Sequence, residues 1–211
     1  MARARRHPPT IVLLVRHGQT PTTGRVLPGR APGLHLSEDG RRQAEAAATR
    51  IARLERVSAV YASPLERARE TALPIARRRG LAVRIERGLL ELDVGRWTGL
   101  RLDRLGKRPE WASVQRYPSG FRFPDGESFT EMQTRITETL GRLVARHRGG
   151  VVVAVSHADP IKAALAHALG MHLDLFQRLA VGPASISTIA YRASGPTVLG
   201  VNVGAGGAVP A

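Results

Sequence analysis

Short runs of β-branched and aliphatic residues alternate along this chain with longer amphipathic segments, and this alternation limits the possible folds more than any other feature. Strands that alternate with helices form a largely parallel sheet, because a parallel connection has to cross the sheet and usually does so as a helix. The pattern therefore predicts a single α/β domain, for which 211 residues are an ordinary length. The predicted strands are residues 10–15, 57–61, 82–86, 151–155, 185–191 and 198–203.

Capping residues mark the expected helix boundaries. Residues 63–66 (SPLE) predict a helix start with a serine N-cap, a proline in the first helical position and a glutamate that bonds back to the cap. Residues 128–131 (SFTE) repeat the capping box, and Gly149 is expected to end that helix as its C-cap. Further helices are predicted over residues 37–53 and 159–170.

Two terminal segments and one internal segment lack this periodicity. Residues 1–9 are basic and end in two prolines, and residues 204–211 are mostly small. We therefore expect a flexible leader and a flexible tail around one domain over residues 10–203. Residues 100–126 are rich in proline and glycine and predict a long irregular insertion that serves as a lid or binding loop.

Cysteine is absent from the sequence, which excludes disulfides, thiolate metal sites and cysteine nucleophiles. The apolar run over residues 11–15 is too short for a signal-peptide core or a membrane span, and it leads directly into Arg16. We therefore expect a cytoplasmic protein with no membrane partner.

The formal net charge of +15 raises the question of a nucleic-acid partner. The charge is not concentrated, however: 30 of the 32 basic residues are arginines, the exceptions being Lys107 and Lys162, and they are scattered through every segment. Aromatic residues make up 4% of the chain, so platforms for base stacking are scarce. We expect no nucleic-acid partner, and a positive field that favours small phosphorylated substrates.

Two histidines follow directly on predicted strands. Arg16 and His17 come after the first strand, and His157 comes after the strand over residues 151–155, just before a predicted helix. Ligands bind at the carboxyl edge of parallel sheets, and helix N-termini attract anions. The remaining histidines lack this placement and are interpreted as surface or capping residues: His7, His35, His147, His167 and His172.

Two further segments carry candidate site residues. Arg67 lies in the first turn of the helix after the second strand, where its guanidinium can bind phosphate oxygens in bidentate fashion. Arg69 points away from Arg67 on the same helix and is expected at the surface. Glu91 follows the third predicted strand, in a segment that Gly95 and Gly99 turn tightly.

The four segments that carry His17, Arg67, Glu91 and His157, in this order and at this spacing, resemble the histidine phosphatase superfamily, also called the phosphoglycerate-mutase-like family. The resemblance covers residues 11–191 and implies a three-layer α/β/α sandwich with a mostly parallel central sheet. It implies that His17 is the phosphorylated nucleophile and Glu91 the proton donor. It also implies that Arg16, Arg67 and His157 line the phosphate pocket, with neither metal nor cofactor.

Four further residues are candidates for substrate binding. Thr23 stands where family members usually carry asparagine, and Ala158 stands where glycine normally follows the second histidine. Gly29 and Arg30 belong to a loop that we expect to flank the site. We expect the departures at Thr23 and Ala158 to affect phosphate affinity, because a hydroxyl offers fewer donors than an amide and alanine restricts φ.

The residue types fit phosphoryl transfer, in which positioning and fixed charge supply most of the stabilisation. Arg16, Arg67 and a protonated His157 are expected to supply up to three positive charges. Neighbouring arginines favour a neutral His17, as a nucleophile requires. Glu91 has to begin protonated, and its confinement beside a phosphate is expected to raise its pKa.

The leading hypothesis is therefore a histidine acid-type phosphatase that hydrolyses a phosphate monoester. A phosphoglycerate mutase-type phosphotransferase is the nearest alternative, although the spacing of Glu91, Gly95, Trp97 and Gly99 looks like the phosphatase branch. A catalytically idle module that binds a phosphorylated partner is the alternative from a different class. The substrate and the oligomeric state stay open at this point.

Overall fold

In the computed structural model, residues 8–204 and 209–210 are described. Most of the predicted leader (1–9) and part of the predicted tail (204–211) lie outside the described residues. Val209, in the described part of that tail, packs against the apolar core.

A six-stranded sheet in the order β3-β2-β4-β1-β5-β6 forms the centre of the fold. The first four strands run parallel to one another, whereas β5 is antiparallel to β1, and β6 is antiparallel to β5. All six predicted strands are present, with β3 shorter and β6 longer than predicted. The strands are β1 Thr10–Arg16, β2 Val57–Ala62, β3 Val83–Ile85, β4 Val151–Ser156, β5 Ile186–Arg192 and β6 Gly195–Val203.

Helices cover both faces of this sheet. Alternate residues of β1 show the two faces: Val12 and Leu14 pack in the cluster that includes α5 and α6, whereas Leu13 and Val15 pack in the cluster that includes α1 and α2. The predicted α/β architecture is therefore confirmed. The helices are α1 Glu38–Ile51, α2 Glu66–Arg78, α3 Leu102–Leu105, α4 Pro109–Arg116, α5 Phe129–Arg146 and α6 Ala158–Ala168. Among the described residues, no helix is long and apolar enough to cross a bilayer.

The helix that follows β2 begins later than its sequence predicts. Residue 65, not Ser63, occupies the N-cap of α2, and no side chain caps this helix start. The Ser63 hydroxyl instead lies 2.8 Å from Nε2 of His157, because β2 and β4 are neighbours and both end at this edge. The predicted cap at residues 63–66 is therefore wrong, and the serine belongs to the site.

The C-terminal end of α5 also differs slightly from the prediction. The capping box at Ser128 and Glu131 is confirmed. At the other end, His147 is the C-cap, and Gly149 follows two residues later with a φ of +73°. The glycine therefore serves the turn into β4 rather than the cap itself.

Residues 100–126 are more regular than predicted. They contain α3, α4 and a short 3₁₀ turn over Pro118–Gly120. Trp111 of α4 stacks on Trp97 with 6.3 Å between ring centroids, so this segment packs on the core next to α5 and α6. The expectation of an irregular insertion is therefore wrong, because aromatic packing orders the segment.

The start of α1 touches the loop after β1 through backbone atoms. A Cβ atom on Gly40, in the first turn of α1, would lie 2.0 Å from the carbonyl oxygen of Gln19. A Cβ atom on Gly18 would lie 2.5 Å from the carbonyl oxygen of Gly40. Only glycine at both positions allows this approach, which fixes the residues that follow β1 against the helix.

Two helical glycines give a matched test of this contact. Gly40→Ala is expected to destabilise the protein by about 1–3 kcal/mol, because the new methyl group overlaps a backbone oxygen. Gly141→Ala, in the exposed middle of α5 where nothing lies within 4 Å, is expected to stabilise it by about 0.5–1 kcal/mol. Urea unfolding of both variants measures the difference, and equal effects would contradict the contact.

Candidate active site

The sheet order brings the two histidine motifs together. β1 and β4 are adjacent and parallel, with Arg16 opposite Ser156, so His17 and His157 follow at the same edge. Their ring centroids are 5.2 Å apart. The backbone N–H of His17 donates to the carbonyl of Ser156 at 2.9 Å, which extends the pairing to the first histidine. Strand topology therefore assembles the centre of the site.

His17 is held in one tautomer. Its Nδ1 lies 2.7 Å from the carbonyl oxygen of Gly18 and donates to it, since a carbonyl can only accept. The lone pair is therefore on Nε2. Burial lowers the pKa of His17 to about 3, and the positive charges of Arg67 and Arg16 add to the effect. The ring is neutral at physiological pH and has a free nucleophilic nitrogen.

His157 is fully buried beside it. Burial lowers the pKa of His157 well below its ordinary value, and Arg67, His17 and Arg16 lower it further. The expectation of a protonated His157 is therefore not met in this arrangement, because burial and the neighbouring arginines outweigh the carboxyl group of Glu91, whose Oε2 lies 4.0 Å from Nδ1. A neutral ring still donates one hydrogen bond. The Ser63 hydroxyl lies 2.8 Å from Nε2 and accepts from the backbone N–H of Leu65 at 3.4 Å; when its own proton points to Nε2, the donor of the ring is Nδ1.

Two arginines supply the positive charge. Arg67 has an exposed fraction of 0%, and its Nη2 donates to the carbonyl of Gly29 at 2.7 Å. Arg16 donates from Nη1 to the carbonyl of Val181 at 2.7 Å. Burial lowers the pKa of both guanidinium groups, and the carboxylate of Glu91 opposes this effect. A guanidinium nevertheless keeps its charge.

Several buried nitrogens near His17 have no partner among the described residues. They are Nε of Arg16, Nε and Nη1 of Arg67, and Nδ1 of His157. Buried donors without partners are rare and costly in folded proteins. Two of the three side chains are cations, so the group that would satisfy all of these donors is a small oxyanion such as phosphate.

Glu91 adds a carboxyl group with an unusual pKa. Its Oε2 lies 4.0 Å from Nδ1 of His157, and its Oε1 accepts from the backbone N–H of Leu92 at 2.9 Å. Burial raises the pKa of Glu91 to about 7, Asp159 raises it too, and Arg67 opposes the shift. A carboxyl group with such a pKa can both give and take a proton near neutral pH.

The four predicted substrate-binding residues occupy different places. The carbonyl of Gly29 accepts from Arg67, whereas the guanidinium of Arg30 binds the Glu91 segment, donating to the Glu91 carbonyl at 2.8 Å. Thr23 closes a turn: its hydroxyl accepts from the backbone N–H of residue 20 at 2.9 Å. Ala158 is the first residue of α6, directly after His157. Their role in binding stays a prediction.

Two further residues of this region, Thr71 and Asp159, were not predicted from the sequence. Thr71 accepts from the backbone N–H of Gly18 at 3.0 Å, and Asp159 acts on the pKa of Glu91. Asp159 directly follows the second histidine motif, which was a usable signal. Among the described residues, no group of three or more His, Asp or Glu side chains could hold a metal ion.

The sequence profile of the histidine phosphatase superfamily (branch 1) matches residues 12–204. The chain belongs to this superfamily. Phosphoserine phosphatase 1 of Hydrogenobacter thermophilus is 31% identical over 205 residues, which cover 91% of this chain and 92% of that protein. A mycobacterial glucosyl-3-phosphoglycerate phosphatase superposes with a TM-score of 0.83 at 28% identity, over 92% of this chain and 98% of that chain.

A longer relative also matches. A bifunctional protein of Mycobacterium tuberculosis is 38% identical over 190 residues, which cover 89% of this chain but 52% of that protein. The chain therefore spans about half the length of this relative. The resemblance seen in the sequence, and the fold that it implies, are confirmed by these similarities.

The raised pKa of Glu91 predicts a pH-dependent effect on stability. The ordinary pKa of a glutamate carboxyl group is 4.5, so at about pH 8 Glu91 is ionised in the unfolded chain. Folding then has to bury this charge or protonate the group, and either costs free energy. Below about pH 4 both states are protonated and the cost vanishes. The free energy of unfolding of Glu91→Gln, compared with that of the wild type, should therefore increase by on the order of 1–3 kcal/mol as the pH rises from 4.5 to above 7.

Unfolding in urea at a series of pH values measures this difference. Glu138→Gln, at an exposed position of α5, is the control, and we expect no comparable trend for it. A Glu91→Gln protein that gains nothing at alkaline pH would show that the carboxyl group is hydrated rather than buried.

Proposed function

We propose that this protein is a metal-independent phosphatase, which hydrolyses a phosphate monoester through a phosphohistidine intermediate on His17. The observation that carries the proposal is the set of unpartnered buried nitrogens on Arg16, Arg67 and His157 around a neutral nucleophile. These donors fit the oxygens of a transferring phosphoryl group. Membership of the superfamily supports the same reaction.

In the first step Nε2 of His17 attacks phosphorus, and the bond between phosphorus and the ester oxygen breaks. The leaving oxygen takes the proton of Glu91 and departs as an alcohol. In the second step water attacks the phosphohistidine, the P–N bond breaks, and Glu91 takes back a proton. The products are an alcohol and inorganic phosphate, and the enzyme returns to its starting state.

Electrostatic stabilisation has to supply most of the acceleration. A phosphate monoester calls for acceleration of up to about 10²¹-fold, whereas a general acid contributes about 10²–10⁴-fold. Arg16 and Arg67 provide two fixed positive charges in a site where little water weakens them, and His157 adds a neutral donor. The proposal therefore assigns to side chains the role that metal ions have in other phosphotransferases.

The substrate class that we propose is a small phosphorylated metabolite. Relatives named for phosphoserine and for glucosyl-3-phosphoglycerate make these two compounds the first to test. Both names describe phosphatases, which favours hydrolysis over the mutase reaction. An idle binding module is disfavoured, because such a module has no use for a carboxyl group whose pKa is about 7.

We also propose that residues 100–126 and the loop around Gly29 act together at the mouth of the site. The backbone N–H of Leu27 donates to the carbonyl of Leu100 at 2.9 Å, and the N–H of Leu102 donates to the carbonyl of Arg25 at 3.0 Å. These bonds join the two segments. The substrate's non-phosphate part is therefore expected to meet both of them.

Chelation is the simplest test of metal independence. Because the positive charge comes from Arg16 and Arg67, hydrolysis of 4-nitrophenyl phosphate is expected to continue at an unchanged rate in excess EDTA. The assay follows nitrophenolate release with and without chelator, and added magnesium or zinc is expected to give no stimulation. Loss of activity on chelation, restored by either ion, would rule the mechanism out.

Two variants, each expected to impair a different step of the reaction, test the phosphohistidine intermediate. His17→Ala removes the atom that bonds to phosphorus, so hydrolysis should fall to background for every substrate. Glu91→Gln keeps the shape but moves no proton, so with a good leaving group the second step should become limiting and phosphohistidine should accumulate. Alkaline quenching and peptide mass mapping should find the phosphoryl adduct on His17. A His17→Ala protein with the wild-type rate would falsify the scheme.

A further inference from the structure

The segment that carries Glu91 has little regular structure of its own. It follows a short 3₁₀ turn, Arg87–Leu89, and belongs to no strand or α-helix. Nevertheless, the four carbonyl oxygens of residues 88–91 all accept hydrogen bonds from side chains. Ser156 of β4 donates to the carbonyl of Leu89 at 2.8 Å, and two arginines serve the other three carbonyls. Side chains therefore hold this segment in place.

Arg135, in the first half of α5, makes most of these bonds. Its Nη1 donates to the carbonyls of Gly88 and Leu90, both at 2.8 Å, and its Nη2 donates to the carbonyl of Glu91 at 3.3 Å. The remaining donors bind the carboxylate of Glu127, from Nε at 2.8 Å and from Nη2 at 2.9 Å. Every nitrogen of the guanidinium is therefore engaged.

Arg30 approaches the same segment from another loop. Its Nε donates to the carbonyl of Glu91 at 2.8 Å, and its Nη2 pairs with Glu127 at 3.0 Å. The Glu127 side chain is 13% exposed and binds both arginines, and its backbone N–H donates to the carbonyl of Asp93 at 2.8 Å. We call Arg30, Glu127 and Arg135 the arginine clamp.

We propose that the arginine clamp positions the carboxyl group of Glu91 for proton transfer, with Arg135 as its principal residue. This inference rests on the proposed function and deepens it. The Glu91 carbonyl is bound by Arg30 and Arg135, while its carboxyl group extends toward His157, with 4.0 Å between Oε2 and Nδ1. These are positioning residues, because their bonds reach the backbone and leave the carboxyl group free to react.

Because the Glu91 segment packs closely on α5, its geometry requires an arginine at position 135. A Cβ atom on Gly88 would lie 1.9 Å from Oγ1 of Thr139, so the segment touches the surface of α5. At that separation the flat guanidinium of Arg135 reaches three carbonyls and a carboxylate at once. A lysine at this position offers three donors from a single nitrogen and cannot span them. A displacement of about 1 Å at a reacting group can cost on the order of 100-fold in rate.

The experiment compares Arg135→Lys with Arg142→Lys, the same substitution two turns further along α5. Arg142 donates to Thr139 and lies 3.8 Å from Glu86, and it makes no hydrogen bond to residues 88–93. Phenyl phosphate and 4-nitrophenyl phosphate are the probes, since they share a shape and differ in how much their leaving groups need a proton. Single-turnover release of each phenol isolates the first chemical step, and the vanadate inhibition constant reports on the phosphate pocket.

For Arg135→Lys we expect the single-turnover rate with phenyl phosphate to fall on the order of 10- to 100-fold, and that with 4-nitrophenyl phosphate by less than about 3-fold. Vanadate inhibition should change by less than about 2-fold, because Arg16, Arg67 and His17 are untouched. Arg142→Lys should match the wild type in all three measurements. An equal loss with both esters, or no loss relative to Arg142→Lys, overturns the proposal.

Glu127→Gln provides a second route should Arg135→Lys fail to fold. It keeps the shape of the side chain and removes the charge that anchors both arginines, so the same selective loss with phenyl phosphate is expected. Unchanged selectivity in a folded Glu127→Gln protein counts against the clamp. A wild-type protein that releases no phenol in a single turnover and ignores vanadate would instead overturn the proposed function, and the clamp's role with it.

Discussion

Two guanidinium groups at one end of a sheet, that of Arg67 buried and that of Arg16 half-buried, are the constraint on which the rest of the structure depends. Moving a cation out of water costs several kcal/mol unless partners compensate. Arg16 and Arg67 each find one backbone carbonyl but leave other donors unpartnered among the described residues. The fold therefore tolerates unfavourable free energy at this edge, and an oxyanion would relieve it. Burial, reinforced by the same positive charge, keeps both neighbouring histidines neutral.

The two layers of helices hold different parts of this site in place. On one face, α1 and α2 hold the loop after β1: Gly40 fits against the backbone beside His17, and Thr71 accepts from Gly18. On the other face, α5 holds the segment of Glu91 through Arg135. His17 and Glu91 are thus held in place from opposite sides of the sheet. Strands β1 and β4, which lie between these two helix layers, are almost entirely buried.

Local sequence patterns predicted the parts of the structure that depend on local rules. Strand ends placed Arg16, His17 and His157 at one edge, because parallel strands deliver their carboxyl ends to the same side. The cap at Ser63 failed for the opposite reason, since a partner 94 residues away, His157, takes up its hydroxyl. The protonation state of His157 was also out of reach, because it depends on burial and on charges from three other segments. Arg135 and Glu127 carry no motif at all, and only their contacts with residues 88–93 reveal them.

The contact between Gly18 and Gly40 has a consequence for redesign of the surface. It consists of backbone atoms, so this approach beside His17 does not depend on the side chains that α1 presents to solvent. Much of the chain's excess positive charge lies on exposed arginines, such as Arg41 and Arg42 on that helix. Solubility and unwanted adhesion to polyanions are set by that outer charge. An engineer could therefore neutralise the outside of α1 while the reaction chemistry stays as it is.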